Sequence, residues 1–358
     1  MKRWKLALPL LLVALMWIIS GCSAGKSPKE DIVAAMENMK DMKSYTIKGV
    51  LGFDEFTVPA GASGTDPQAA AMITNMLKGT TVSYHGNVQT KPMRSEITLD
   101  VKLGGEGMSF NMNVPMIMTE EKMWFKMPQV PMLPMPENVA GKFIEVDMKK
   151  LAEEQGQSLN AVDTAETQKM IQDMSQTLLD NYDEKTYFSE VKAEDVKDLP
   201  SDLADEKLVR FAVTPANFEQ AVQTLVEKVA PKWIDQLLAN ESYMKTLNLT
   251  KEDLEQAKAE LEGKGEGDLK KELDELKKNL KVNEFSVTGA IKDKYMVYQS
   301  VIANVDVTEN GETMKMGMHF NSHYENLNKD VKFEYELPTD AVPMEELQSL
   351  IGGGVPAL

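Results

Sequence analysis

"GMSFNMNVPMIM", residues 107–118, decides the fold. Met108, Phe110, Met112, Val114, Met116 and Met118 fall on one side of it, and Asn111 and Asn113 fall on the other. A period of two belongs to an extended strand with one dry face and one wet face. The neighbouring stretches keep the same habit. In "EITLDVKL" (96–103), Ile97, Leu99, Val101 and Leu103 alternate with Glu96, Thr98, Asp100 and Lys102. In "SYTIKGVLGF" (44–53), Tyr45, Ile47, Leu51 and Phe53 share a face. "KMWFKM" (122–127) and "KFIEVDM" (142–148) continue the pattern, and so do three late segments. "YMVYQSVIANVDV" (295–307) aligns Tyr295, Val297, Val301, Ala303, Val305 and Val307. "MKMGMHF" aligns Met314, Met316, Met318 and Phe320, and "VKFEYEL" aligns Val331, Phe333, Tyr335 and Leu337. Turns such as "LGGEG" and "TENGE" separate neighbours, as hairpins require. The pattern predicts about ten antiparallel strands.

Helical periodicity interrupts the strands. "SPKEDIVAAMENMKDMK" (27–43) begins with Ser27 as N-cap, Pro28 at the first position and Glu30 to close a capping box. "TDPQAAAMITNMLKG" offers Asp66 as cap and Gly79 as stop, and "DTAETQKMIQDMSQTLLDNY" (163–182) reads as another helix. The longest interruption covers residues 215–280, with Thr214 and Thr250 as cap candidates and a break at Gly263–Gly267. The expected architecture is α+β. A large curved antiparallel sheet, open like a half-barrel, packs on helices and carries a helical insertion at about 215–280. Residues 29–358 form one domain.

The N-terminus has its own logic. Lys2, Arg3 and Lys5 precede an uncharged apolar run from Leu6 to Ile19, shorter than the roughly 20 residues a membrane span needs. The run closes on Ser20 and Gly21, directly before Cys22, the only cysteine in 358 residues. "ISGC" resembles the lipobox of bacterial lipoproteins. That resemblance implies a signal peptide over residues 1–21, a lipidated Cys22, and a tether ending at residue 28. Two acyl chains on Cys22 would suffice for stable anchoring. The expected location is the extracytoplasmic face of the cell membrane, with the membrane as a partner through the lipid. A lipidated Cys22 leaves no thiol for disulfides or catalysis.

The formal charge is −17, and losing the leader's three cations makes it more negative still. With no basic stripe to neutralise phosphates, nucleic acid is not expected as a partner. No serine-nucleophile elbow, phosphate loop or dinucleotide fingerprint occurs. His319 and His323 belong to a strand, where four residues span about 13 Å, too far to chelate one ion. The acidic stretch 183–206 lacks the spacing and central glycine of an EF-hand loop. The expectation is a protein without catalysis, cofactor or metal.

Methionine is the compositional anomaly, with 25 residues concentrated on apolar faces. It fits a core with irregular gaps, a deformable surface for ligands of variable shape, or a soft-metal site for Cu(I). "MPQVPMLPMPENVAG" adds four prolines (Pro128, Pro131, Pro134, Pro136) to a greasy loop expected to rim a cavity. Together these features resemble the LolA/LppX-like lipid-binding lipoproteins, and also Gram-positive lipoproteins of unassigned function. The likeness is carried by "KSYTIKGVLGF", "KFIEVDMKKL" and "FEYELP". It implies a half-barrel holding a lipid or other hydrophobic ligand. Phe110, Met112, Met314, Met316, Met318, Phe320, Phe333 and Tyr335 are the candidate ligand contacts. The alternative is an envelope scaffold with a filled core, whose charged helical insertion binds an envelope protein.

Overall fold

The computed structural model describes residues 27–57, 59, 67–104, 110–128, 139–154, 164–263, 275, 277–309 and 311–351. Residues 1–26 with Cys22, Asp66, Met108, residues 129–138 of the proline-rich loop, and residues 264–274 and 276 of the insertion lie outside these residues. One curved, open sheet of twelve strands organises the chain. The strands are β1 (Ser44–Thr57), β2 (Thr81–Thr90), β3 (Met93–Leu103), β4 (Phe110–Thr119), β5 (Lys122–Lys126) and β6 (Phe143–Asp147). They continue with β7 (Phe188–Glu190), β8 (Lys207–Val213), β9 (Leu280–Lys292), β10 (Tyr295–Glu309), β11 (Glu312–Glu325) and β12 (Val342–Pro343). Their order is β12-β6-β5-β4-β3-β2-β1-β11-β10-β9-β8-β7. Every pairing is antiparallel except β12 on β6.

The described helices are α1 (Pro28–Met39), α2 (Pro67–Lys78), α3 (Met148–Glu154), α4 (Thr164–Asn181), α5 (Glu184–Tyr187), α6 (Phe218–Thr224), α7 (Ala230–Ala239), α8 (Glu241–Thr246), α9 (Lys251–Leu261) and α10 (Met344–Ile351). Of these, α1 and α4 pack on one face, here called inner, at the β7–β10 end, and α2 packs against β1. Ser27 caps α1 and Glu30 closes the capping box, as the sequence predicts. Ile32 and Ala35 of α1, Leu179 of α4 and Tyr182 just after it, and Val209, Phe211 and Val282 of the sheet form the main core. Burying each such aliphatic side chain contributes about 1.5–3 kcal/mol. Between β8 and β9 the chain runs through α6 (Phe218–Thr224), a π-turn (Leu225–Val229) and α7 (Ala230–Ala239). Pro231 explains the π-turn: it has no N–H to give, and the wider turn accommodates its ring. Asn217, not Thr214, precedes α6; its carboxamide oxygen accepts from the Thr214 N–H at 2.7 Å. Thr250 does cap α9 (Lys251–Leu261), in a capping box with Asp253.

The outer face carries two crossings. Residues 191–206 cover β8–β10, burying Val196 and Leu203 against Leu208, Ala290 and Tyr298. Residues 331–337 cross β2, β3 and β6, and here the expectation of a strand fails. Val331, Phe333 and Tyr335 do alternate inward, but the backbone pairs with side chains instead of a neighbouring strand. The Lys332 carbonyl accepts from Asn87 Nδ2 at 2.9 Å. The N–H groups of Glu334 and Tyr335 donate to Glu96 Oε1 and Oε2 at 2.8 and 3.1 Å. Arg94 donates to the Tyr335 carbonyl and lies 4.2 Å from the centre of the Phe333 ring. Glu96 is 5% exposed, a buried carboxylate whose hydrogen bonds offset its desolvation.

Candidate functional site

Register shows what the inner face offers. Met112, Val101, Val82, Leu51, Phe320, Val301, Val287, Phe211 and Phe188 lie opposite one another in turn, from β4 through β3, β2, β1, β11, β10, β9 and β8 to β7. The row is apolar throughout. At its β7–β8 end it belongs to the main core. At the other edge, Ile144 and Phe125 pack with Val139, Val342 and Leu347, the last from α10 (Met344–Ile351). The middle is different. Met112, Val101, Val82, Leu51 and Phe320 belong to neither core and are only half-buried. Met314, Met316, Met318 and Phe110 are half-buried as well, and Phe285 on the same face is 36% exposed.

Six of the eight expected ligand contacts therefore share one face. Phe110 and Met112 lie on β4, and Met314, Met316, Met318 and Phe320 lie on β11. With β3, β2 and β1 between them, the two strips are about 19 Å apart, four strand spacings. Phe333 and Tyr335 do not join them. Both lie on the outer face, with Phe333 under Arg94 and the Tyr335 ring 5.6 Å from that of Phe143. Their alternation was legible, but the face they cover was not.

A polar patch on the inner face had no signal in the alternation. Tyr84 of β2 stands opposite Gly49 of β1, which stands opposite Ser322 of β11. Because Gly49 has no side chain, the Tyr84 ring crosses β1; its hydroxyl meets Ser322 Oγ and donates to the Asn321 carbonyl at 3.1 Å. The ring stacks on Phe320 at 6.1 Å. Tyr324, next on that face, meets Tyr45 edge-on at 5.5 Å. Burial raises the phenol pKa of Tyr45 and Tyr84 and pushes that of Tyr324 up to about 12, so all three stay neutral. Only pairing information could have found this cluster, because its members come from three strands.

The outer face has a groove of about 630 Å³ beside Asp198 and Pro200 of the first crossing. All three histidines line it. His85, Lys48, His323 and Tyr298 stand opposite one another across four strands. His319 Nδ1 lies 2.8 Å from Asp54 Oδ2, and Lys197 reaches Asp54 Oδ1 at 3.0 Å. Burial pushes the Asp54 carboxyl up, but the hydrogen bonds from Lys197 and His319 outweigh it and hold the pKa below its ordinary value. Among the described residues, no three His, Cys, Asp or Glu side chains converge to hold a metal ion. His323 is 4% exposed, and among the described residues its Nδ1, 3.7 Å from Glu325 Oε1, has no hydrogen-bond partner. Burial holds its pKa below the ordinary histidine value.

That shift predicts a pH dependence of stability. The unfolded state takes up the proton more readily than the folded state, so His323 costs nothing well above its unfolded pKa of about 6.5. As pH falls through that value toward the lower folded pKa, stability is lost, by at most about 1.4 kcal/mol per pH unit for one proton. Urea midpoints measured at pH 7.5 and 5.5 will fall on acidification, and His323→Gln will flatten the dependence. An unchanged slope in the variant would remove His323 as the cause.

No known protein-family model matches the chain, and a search of curated proteins finds none significantly similar to it. The fold and the two faces of the sheet define an α+β protein built on a curved, open sheet.

Proposed function

We propose that this chain is a membrane-anchored extracytoplasmic lipoprotein that binds a lipid or other hydrophobic ligand on the inner face of its sheet, without catalysis. One observation carries the reading: the middle of that face presents an unbroken apolar row that belongs to neither core and is half-buried. Flexible thioethers in the β11 strip suit a ligand of variable shape. At about 0.8 kcal/mol per buried CH₂, ten methylenes supply about 8 kcal/mol before the cost of association. The lipobox supports the anchor, with Cys22 as the acylated residue and the short tether holding the domain near a source of lipid.

The test is native mass spectrometry of the full chain purified from bacterial membranes in mild detergent, with palmitate-analogue labelling in the same cells. The expected result is a labelled protein carrying a stoichiometric lipid-sized adduct. Cys22→Ala will abolish the label and release the protein from the membrane fraction. Met316→Asp will abolish the adduct while leaving the circular dichroism spectrum unchanged. A labelled protein with a clean apo mass would overturn the ligand reading in favour of a scaffold with a filled core.

A further inference from the structure

The inner face has an electrostatic property that its apolar character alone does not require. Across β1–β6 and β9–β11, every inward-facing residue of the described register is uncharged, except Glu309 and Glu312 at the tip of the β10–β11 hairpin. The sequence is 27% charged, so the exclusion is selective. Charges on those same strands face outward, as with Lys48, Arg94, Glu96 and Asp100. Away from the β10–β11 tip, the polar groups on the inner face are neutral. Tyr45, Tyr84, Ser322 and Tyr324 stand together, and the Met and Phe strip of β11 runs away from them along one strand.

An anionic headgroup placed on these strands would lose water and find no ammonium or guanidinium among their described inward-facing residues, a penalty that hydroxyls alone do not offset. A neutral head with hydroxyl or ester oxygens meets donors and acceptors of its own kind. We propose that the inner face selects a neutral glycerolipid of the diacylglycerol type over anionic phospholipid. Its polar end lies against Tyr45, Tyr84, Ser322 and Tyr324, and its chains lie along Met314, Met316, Met318 and Phe320. The inference rests on the hydrophobic-ligand reading above and adds the ligand class and the headgroup site. Tyr84 and Tyr324 are the specificity-determining residues it names.

The experiment uses the full chain reconstituted in phosphatidylcholine vesicles. Each preparation carries one of three photoactivatable probes with the same terminal diazirine: a diacylglycerol, a phosphatidylglycerol or a plain alkane. After irradiation, adducts are mapped to peptides by mass spectrometry. The expected result is diacylglycerol adducts on β11 and the strands beside it, β1 and β10, at least tenfold above those of phosphatidylglycerol. Tyr324→Phe will lower the diacylglycerol yield several-fold and leave the alkane yield unchanged, which a loss of packing alone would not do. Met316→Lys, which places a cation on the face, will bring the two lipid yields toward equality. Equal or greater phosphatidylglycerol labelling of the wild-type strands overturns the neutral-lipid inference and leaves the hydrophobic-ligand reading standing. Failure of all three probes to label the inner strands overturns both. If a variant does not fold, the wild-type ratio alone decides.

Discussion

Gly49→Val will destabilise the protein by about 4 kcal/mol, near the upper end for a single substitution. The cause lies in the polar patch of the inner face. A Cβ at residue 49 would overlap the Asn321 carbonyl and the Tyr84 hydroxyl and ring. The ring could swing aside, but the carbonyl is backbone of the paired strand β11. Relieving that overlap means separating β1 from β11, and this junction joins the two halves of the sheet. Urea denaturation of wild type, Gly49→Val and the double variant Gly49→Val/Tyr84→Ala checks the account. The double variant will recover only a minor part of the loss, because the carbonyl overlap remains. Full recovery would mean that the tyrosine alone sets the constraint, and a single variant as stable as wild type would mean the strands separate freely.

Glu96→Ala will cost about 3–5 kcal/mol and release the outer crossing 331–337. Two backbone N–H groups, from Glu334 and Tyr335, lose their acceptor, and Arg94, 3.9 Å from the carboxylate, loses its counter-charge while half-buried. Glu96→Gln will fall between wild type and alanine, since its single carbonyl oxygen can serve only one of the two N–H groups well. Hydrogen exchange reads this directly, with the amides of Glu334 and Tyr335 protected in wild type and fast in Glu96→Ala. Protection that persists in the alanine variant would show that Phe333 and Tyr335 hold the crossing by ring contacts alone.

How far the sequence carried is clear at particular residues. Regular alternation identified β1, β3, β4, β10 and β11, because each exposes one face to a polar environment. It was weaker for β8, "KLVRFAV", where Leu208 faces the outer crossing while Val209, Phe211 and Val213 face the main core, so both sides read as apolar. In β9 a register shift opposite Asn304 and Val305 breaks the period, and Gly86 interrupts it in β2. For 331–337 the period was right and the element wrong. Alternation reports which side chains are covered, whereas a strand is defined by where its N–H groups go. Of the candidate site, the apolar residues of β4 and β11 were legible individually. The row joining them, the tyrosine cluster and the outer position of Phe333 all depend on pairing between distant segments, which no local pattern encodes.

The sheet ends on β7, three residues long, and on β12, two residues long. An open sheet of twelve strands would otherwise offer two long rows of unpaired N–H and C=O groups to any other extended chain. Ends this short give an incoming strand almost nothing to register against, so two copies meeting side by side cannot zip into a continuous ribbon. The geometry that leaves the sheet open to a ligand on its face thus closes it to polymerisation at its margins.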